Sequence, residues 1–150
     1  MSGFAFLVNL TVMLEGLPPL VVLLRKLRKP AHLWIAAAFA LSFTADMFAG
    51  QLGRRQINNQ WVGYLVAPPI IAMFLLALAR WQLSYVERVT LKLTAPLLVV
   101  TLYALTLSVE NVAQFSRFTG PLGGLVLLVA ALWTMLRRSF GPATQPHTRT

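Results

Sequence analysis

The chain has 150 residues, of which 57% are hydrophobic and only 11% charged, with a mean hydropathy of +0.69 and a formal net charge of +9. Soluble domains carry about a quarter charged residues, so this composition excludes a soluble globular domain. The absence of cysteine excludes disulfides, thiolate metal sites and thiol redox chemistry.

The first apolar span covers residues 4–24, and no basic stretch precedes it, which predicts that it is retained rather than cleaved. Within it, Glu15 lies about 16 Å along a helix rising ~1.5 Å per residue, near the middle of a ~30 Å hydrocarbon layer. An ionised carboxylate at that depth costs about 2.5–3.5 kcal/mol, so it must be protonated, paired or turned toward a wet cavity. Thr11 stands one turn away on the same face, and Pro18 and Pro19 cannot donate to the carbonyls of Leu14 and Glu15. Two readings follow. A neutral Glu15 can hydrogen-bond a neighbouring helix or subunit, or the carboxyl and freed carbonyls can hold a proton or small cation; the first is the simpler.

Arg25, Lys26, Arg28 and Lys29 follow this span, and His32 opens the second, over residues 33–50. The other histidine, His147, lies in the tail, so a haem held between two helix histidines is excluded, and His32 is left as a weak candidate for a single pigment ligand. Ala36, Ala40 and Thr44 form a row of small residues expected to mark a packing face. Asp46 is expected at the far end of this span, joining Arg54, Arg55, Glu110 and Arg117 in an outer polar cluster, with Asn58, Asn59, Gln60, Asn111 and Gln114 around it.

The third span, residues 61–79, carries Pro68 and Pro69, which free the carbonyls of Tyr64 and Leu65 and predict a kink. Trp61 and Tyr64 begin it while Trp81 and Tyr85 follow it, as expected of interfacial aromatic belts. A connection over residues 82–92 leads to the fourth span, residues 93–109. The fifth covers 118–136, with Gly120 and Gly124 in a G-x-x-x-G step that predicts close helix approach, within the bundle or with another subunit. Residues 141–150, rich in Pro and Thr, read as an irregular tail.

Of the 13 lysines and arginines, only Arg54, Arg55 and Arg117 fall between the second and third or the fourth and fifth spans. The rest share the opposite side. By the positive-inside rule the amino terminus is outside and the carboxyl terminus cytoplasmic. The expected fold is therefore an all-α integral membrane protein, five transmembrane helices in an up-and-down bundle over residues 1–140, with residues 141–150 as a cytoplasmic tail. Because the basic residues sit at helix ends, they fit anionic lipid head groups and not a nucleic-acid groove.

No metal-ligand spacing, catalytic triad or phosphate-cradling loop occurs, so no enzyme activity and no cofactor is expected, leaving contact with lipid or pigment. The reading that fits best is a non-catalytic accessory subunit of a larger complex in a bacterial-type inner membrane. Its partners are other transmembrane subunits and membrane lipids, with photosynthetic reaction-centre, antenna or respiratory complexes as hosts by analogy. A small proton- or cation-coupled transporter using Glu15 is the alternative, and a sensory or lipid-interacting membrane module is the third.

Overall fold

A computed structural model describes residues 10–26 and 29–140, and among these every regular element is a helix. The helices are α1 (Leu10–Leu24), α2 (Pro30–Arg54), α3 (Gln60–Trp81), α4 (Tyr85–Val109) and α5 (Thr119–Phe140). The last four are long and apolar enough to cross a membrane. At 22 or 25 residues each, they measure about 33–37 Å, against a hydrocarbon layer of ~30 Å. The start of the first expected span and the tail over residues 141–150 lie outside the described residues.

α1 is interrupted at Gly16, whose N–H donates to the Met13 carbonyl at 3.2 Å. The helix resumes at Leu17 with Pro18 and Pro19 in its first turn. There a missing N–H costs little, because first-turn donors have no intrahelical partner in any case. At the far end of α2, Ile57 N–H reaches the Leu52 carbonyl and Gln56 N–H the Gly53 carbonyl, each at 3.0 Å, with Gln56 left-handed at φ 58°. This is a Schellman closure with glutamine in the seat that glycine usually takes.

Two expected boundaries move. The charges over residues 82–92 predict a connection, yet α4 begins at Tyr85, so only residues 82–84 connect α3 to α4. Glu87, Arg88 and Lys92 end the apolar run without ending the helix. α2 likewise runs on to Arg54, so Asp46 does not end it. Asp46 lies two turns inside, about 12 Å from the helix end.

α3 is the central element and packs against α2, α4 and α5, whereas the Leu17–Leu24 part of α1 touches α2 alone. The bundle is thus a layer around α3 and not a ring of sequential neighbours; α5 leans on α3 more than on α4. Ala31, Ala38 and Ala45, spaced by seven, are the buried positions of α2. That heptad seam is the most buried face of α2 within the chain, while Ala36 and Ala40 are half-buried and Thr44 is exposed. Thr44 returns its hydroxyl to the Ala40 carbonyl at 2.7 Å. Edge-to-face pairs Phe39–Phe74 and Phe48–Trp61, with centroids 5.7 and 6.1 Å apart, hold α2 antiparallel to α3.

On the other side of α3, Ile71, Ala72 and Leu75 meet Ala95 and Leu102 of α4, with Leu127 and Ala130 of α5 against them. Gly123 admits α5 to this core, since a Cβ there would run into Ile71 Cδ1. Gly120 and Gly124 do not face this core. Nothing lies within 4 Å of a Cβ on Gly124, and one on Gly120 would meet only Ser116 of its own approach loop.

Candidate functional site

Three polar arrangements interrupt the apolar packing. The first joins α1 to α2. Glu15, at the break in α1, faces Ser42 and Asp46. Glu15 Oε2 is buried without a hydrogen-bond partner, and Asp46 is exposed on the chain's surface. Among the described residues the one ion pair is Arg137–Glu87, so no lysine or arginine neutralises Glu15 or Asp46. Asp46, expected at the end of its span and in the outer cluster, instead lies inside α2, which extends to Arg54, and stands beside Glu15. Thr11 lies one turn earlier on α1.

The second arrangement closes the end carrying residues 55–59 and 110–118, the outer end in the orientation expected from the charges. Glu110 follows α4, and its carboxylate caps α5. Oε1 accepts the backbone N–H groups of Arg117, Phe118 and Thr119 at 3.0, 2.6 and 2.9 Å, while Oε2 accepts the Thr119 hydroxyl at 2.6 Å. Ser116 donates to the same carboxylate at 3.3 Å and accepts from Gly120 N–H at 2.7 Å. Burial pushes the Glu110 carboxyl up, but the hydrogen bonds from Thr119, Phe118 and Ser116 outweigh it and hold the group at about 2. A helix N-terminus stabilises a carboxylate for the same reason.

Tyr64 of α3 faces Glu110 and Ser116 from below. Asn58 ties the two outer loops together by donating to the Ala113 carbonyl at 3.0 Å, and Asn59 donates to the Ala49 carbonyl at 2.9 Å. Of the expected outer cluster, then, Glu110 and Arg117 come together through the Arg117 backbone. Arg54 and Arg55 project outward at the end of α2.

The third arrangement lies at the opposite end. Gln82, 4% exposed, donates to Thr134 Oγ1 at 2.6 Å, and Thr134 donates to the Ala130 carbonyl at 2.7 Å. Arg138 Nε reaches the Trp81 carbonyl at 3.3 Å, a cation at a helix C-terminus, and Arg88 reaches the Gln82 carbonyl at 3.3 Å. Arg137 stacks 5.0 Å over Trp133 and pairs with Glu87 at 3.2 Å. These contacts lock α5 to the α3–α4 connection.

Sequence reasoning misses Ser42, Tyr103, Ser116, Thr119, Gln82 and Gly123. Tyr103 carries the clearest signal. Its hydroxyl donates to the Leu65 carbonyl, the one that Pro69 frees, so the lost backbone bond is replaced from α4. A tyrosine within an apolar span invites a search for such an acceptor.

His32 sits in the first turn of α2 with Nδ1 buried and unpartnered. Its possible companion, His147, lies outside the described residues. No cluster of three metal-ligating side chains occurs among the described residues. The chain is an all-helical protein of the multi-pass membrane class, as its four long apolar helices indicate. No protein family, curated relative or solved structure matches it.

Proposed function

We propose that this chain is a non-catalytic subunit of a larger assembly in a bacterial-type inner membrane, with its amino terminus outside and its carboxyl terminus in the cytoplasm. The observation that carries this is Asp46, exposed two turns inside the long apolar helix α2 and beside Glu15, with no cation of the described chain to balance either. A carboxylate left facing lipid costs about 2.5–3.5 kcal/mol, and a partner helix that hydrogen-bonds the pair removes that cost. Gly124, on an open face of α5, and the Leu17–Leu24 part of α1, which packs on α2 alone, leave further surface for such helices.

The test is purification of the whole chain in mild detergent, sized on native gels. The wild type is expected in an assembly well above its own 16.6 kDa. Glu15→Gln and Asp46→Asn keep hydrogen-bonding capacity and should stay with it. Glu15→Leu combined with Asp46→Leu should run as the free chain, and Gly124→Leu should lower recovery in the assembly while leaving a folded chain. A wild type that never exceeds a small oligomer would refute the subunit reading.

A second reading, a proton- or cation-coupled transporter, is favoured by one observation: the acidic pair stands where α1 is broken at Gly16. Ion flux in vesicles containing the purified chain alone, abolished by Glu15→Gln, would decide for it. Orientation is tested separately. A reporter fused after Thr150 should report the cytoplasm and one inserted at Asn58 the outside, as the distribution of the 13 basic residues requires. The opposite pattern would invert the placement of every loop.

A further inference from the structure

The outer halves of α3, α4 and α5 do not close on one another. They leave a cavity of about 300 Å³ beneath the loop that carries Phe115 and Ser116. Its floor and walls are apolar, from Ala67, Ile71, Leu102 and Phe115, and no lysine, arginine, aspartate or glutamate lines it. At the small end of the ~300–1,000 Å³ range of ligand pockets, it suits one compact body such as a substituted ring.

Its polar groups differ in how they are occupied. Ser116 and Thr119 are engaged by Glu110, whose carboxylate is itself filled by backbone and hydroxyl donors, and Tyr64 faces the same carboxylate. Thr106, on the cavity wall, is 4% exposed, and its Oγ1 has no hydrogen-bond partner. Thr101, Ser108 and Thr134 each return their hydroxyl to the carbonyl four residues back; Thr106 makes no such bond. A buried hydroxyl without a partner in its own chain is satisfied by one from elsewhere. The nearby negative charge of Glu110 disfavours an anion, and the uncharged lining gives a cation no direct counter-ion.

We propose that this cavity binds an uncharged, compact apolar molecule bearing one hydroxyl or carbonyl, an aromatic or alicyclic alcohol, phenol or ketone. Its apolar body fills the space over Ile71 and Leu102, and its oxygen pairs with Thr106. The site is independent of the acidic pair on α1 and α2 and of any assembly built there.

The probe is a diazirine-bearing benzyl alcohol added to the full chain in detergent, with photolabelled peptides located by mass spectrometry. Labelling is expected to concentrate on residues 60–71 and 102–120, and excess 4-ethylphenol should compete it away. Ala67→Leu, which fills the cavity, should abolish the competable labelling. Thr106→Val keeps the shape and removes the hydroxyl, and should weaken competition by 4-ethylphenol about tenfold. Ethylbenzene, which lacks the oxygen, should compete equally well against both the wild type and Thr106→Val.

Thermal unfolding of each variant establishes that it is folded; should Ala67→Leu not fold, the Thr106→Val comparison alone decides. Repeating the competition with 4-dodecylphenol identifies the source. Tighter competition by the tailed phenol assigns a lipid-borne ligand, and equal competition a free small molecule, and either result sustains the site. Labelling of the cavity peptides no stronger than that of the outward face of α5, or competition unchanged by Thr106→Val, would overturn the proposal.

Discussion

Gly123→Leu should detach α5 from α3 and cost about 3 kcal/mol or more, the largest effect expected of any single substitution in this chain. Gly123 is buried, and a Cβ there would already collide with Ile71 Cδ1 and come within 3.4 Å of Leu102 Cδ1. A single methyl is tolerable because the colliding atom is the far end of a flexible side chain. Gly123→Ala should therefore cost about 1 kcal/mol, reduced by alanine's better helix propensity. Leucine has no such escape, because Ile71 belongs to the same core as Leu75 and Ala95. Helices in lipid are held by packing and have no hydrophobic drive to compensate for separation. Gly124→Leu, one residue on, projects into open space and should leave the unfolding of the isolated chain within about 0.5 kcal/mol of wild type. Denaturant titration of the three variants in the same detergent checks the order. Equal sensitivity at positions 123 and 124 would mean that α5 does not turn Gly123 toward Ile71.

That pair of neighbouring glycines shows what the sequence could and could not convey. Apolar runs as long as the bilayer is thick can satisfy their backbone only as helices, so the spans are legible from hydropathy alone. Rotation about each helix axis is not. Gly120, Gly123 and Gly124 offer more than one small-residue face, and only the docking of α5 on Ile71 and Leu102 selects Gly123. The same holds on α2. Several small residues compete there, and the Ala31, Ala38, Ala45 seam emerges only once Phe39 and Phe48 are fixed against Phe74 and Trp61.

Glu15 is legible as a problem, since a carboxyl amid leucines has to be answered, but its neighbours are not. Asp46 reads as the end of its span because polar residues follow it within two turns. In fact those residues, from Gln51 to Arg54, complete the helix. The cap on α5 is hidden for another reason. Glu110 and Thr119 are separated by an irregular loop, and no local spacing rule links a carboxylate to a helix that starts nine residues later. Ser116 is the available hint, standing just ahead of Thr119 and Gly120 where a capping hydroxyl is favoured.

Glu110→Ala should lower the stability of the folded chain by about 2 kcal/mol at neutral pH and make α5 fray from its outer end. The carboxylate receives three backbone N–H groups, and each would be left without its acceptor. The effect must depend on pH in a definite direction. The folded state holds this carboxyl at about 2, below its ordinary value of 4.5, so the unfolded chain binds the proton more readily. The stabilisation is fully present above the unfolded value and is lost as pH falls through the window from about 4.5 to about 2. Wild type should therefore lose thermal stability across that window by an increment that Glu110→Gln lacks, since glutamine cannot titrate. At neutral pH Glu110→Gln should fall between wild type and Glu110→Ala, retaining an oxygen acceptor but not the charge that favours the helix N-terminus. The outcome is read from thermal unfolding midpoints of the three proteins across that range, with hydrogen exchange of the Phe118 and Thr119 amides as the local reporter. If those amides exchange no faster in Glu110→Ala than in wild type, the Glu110 carboxylate does not cap α5, and the first turn of that helix is held by other groups.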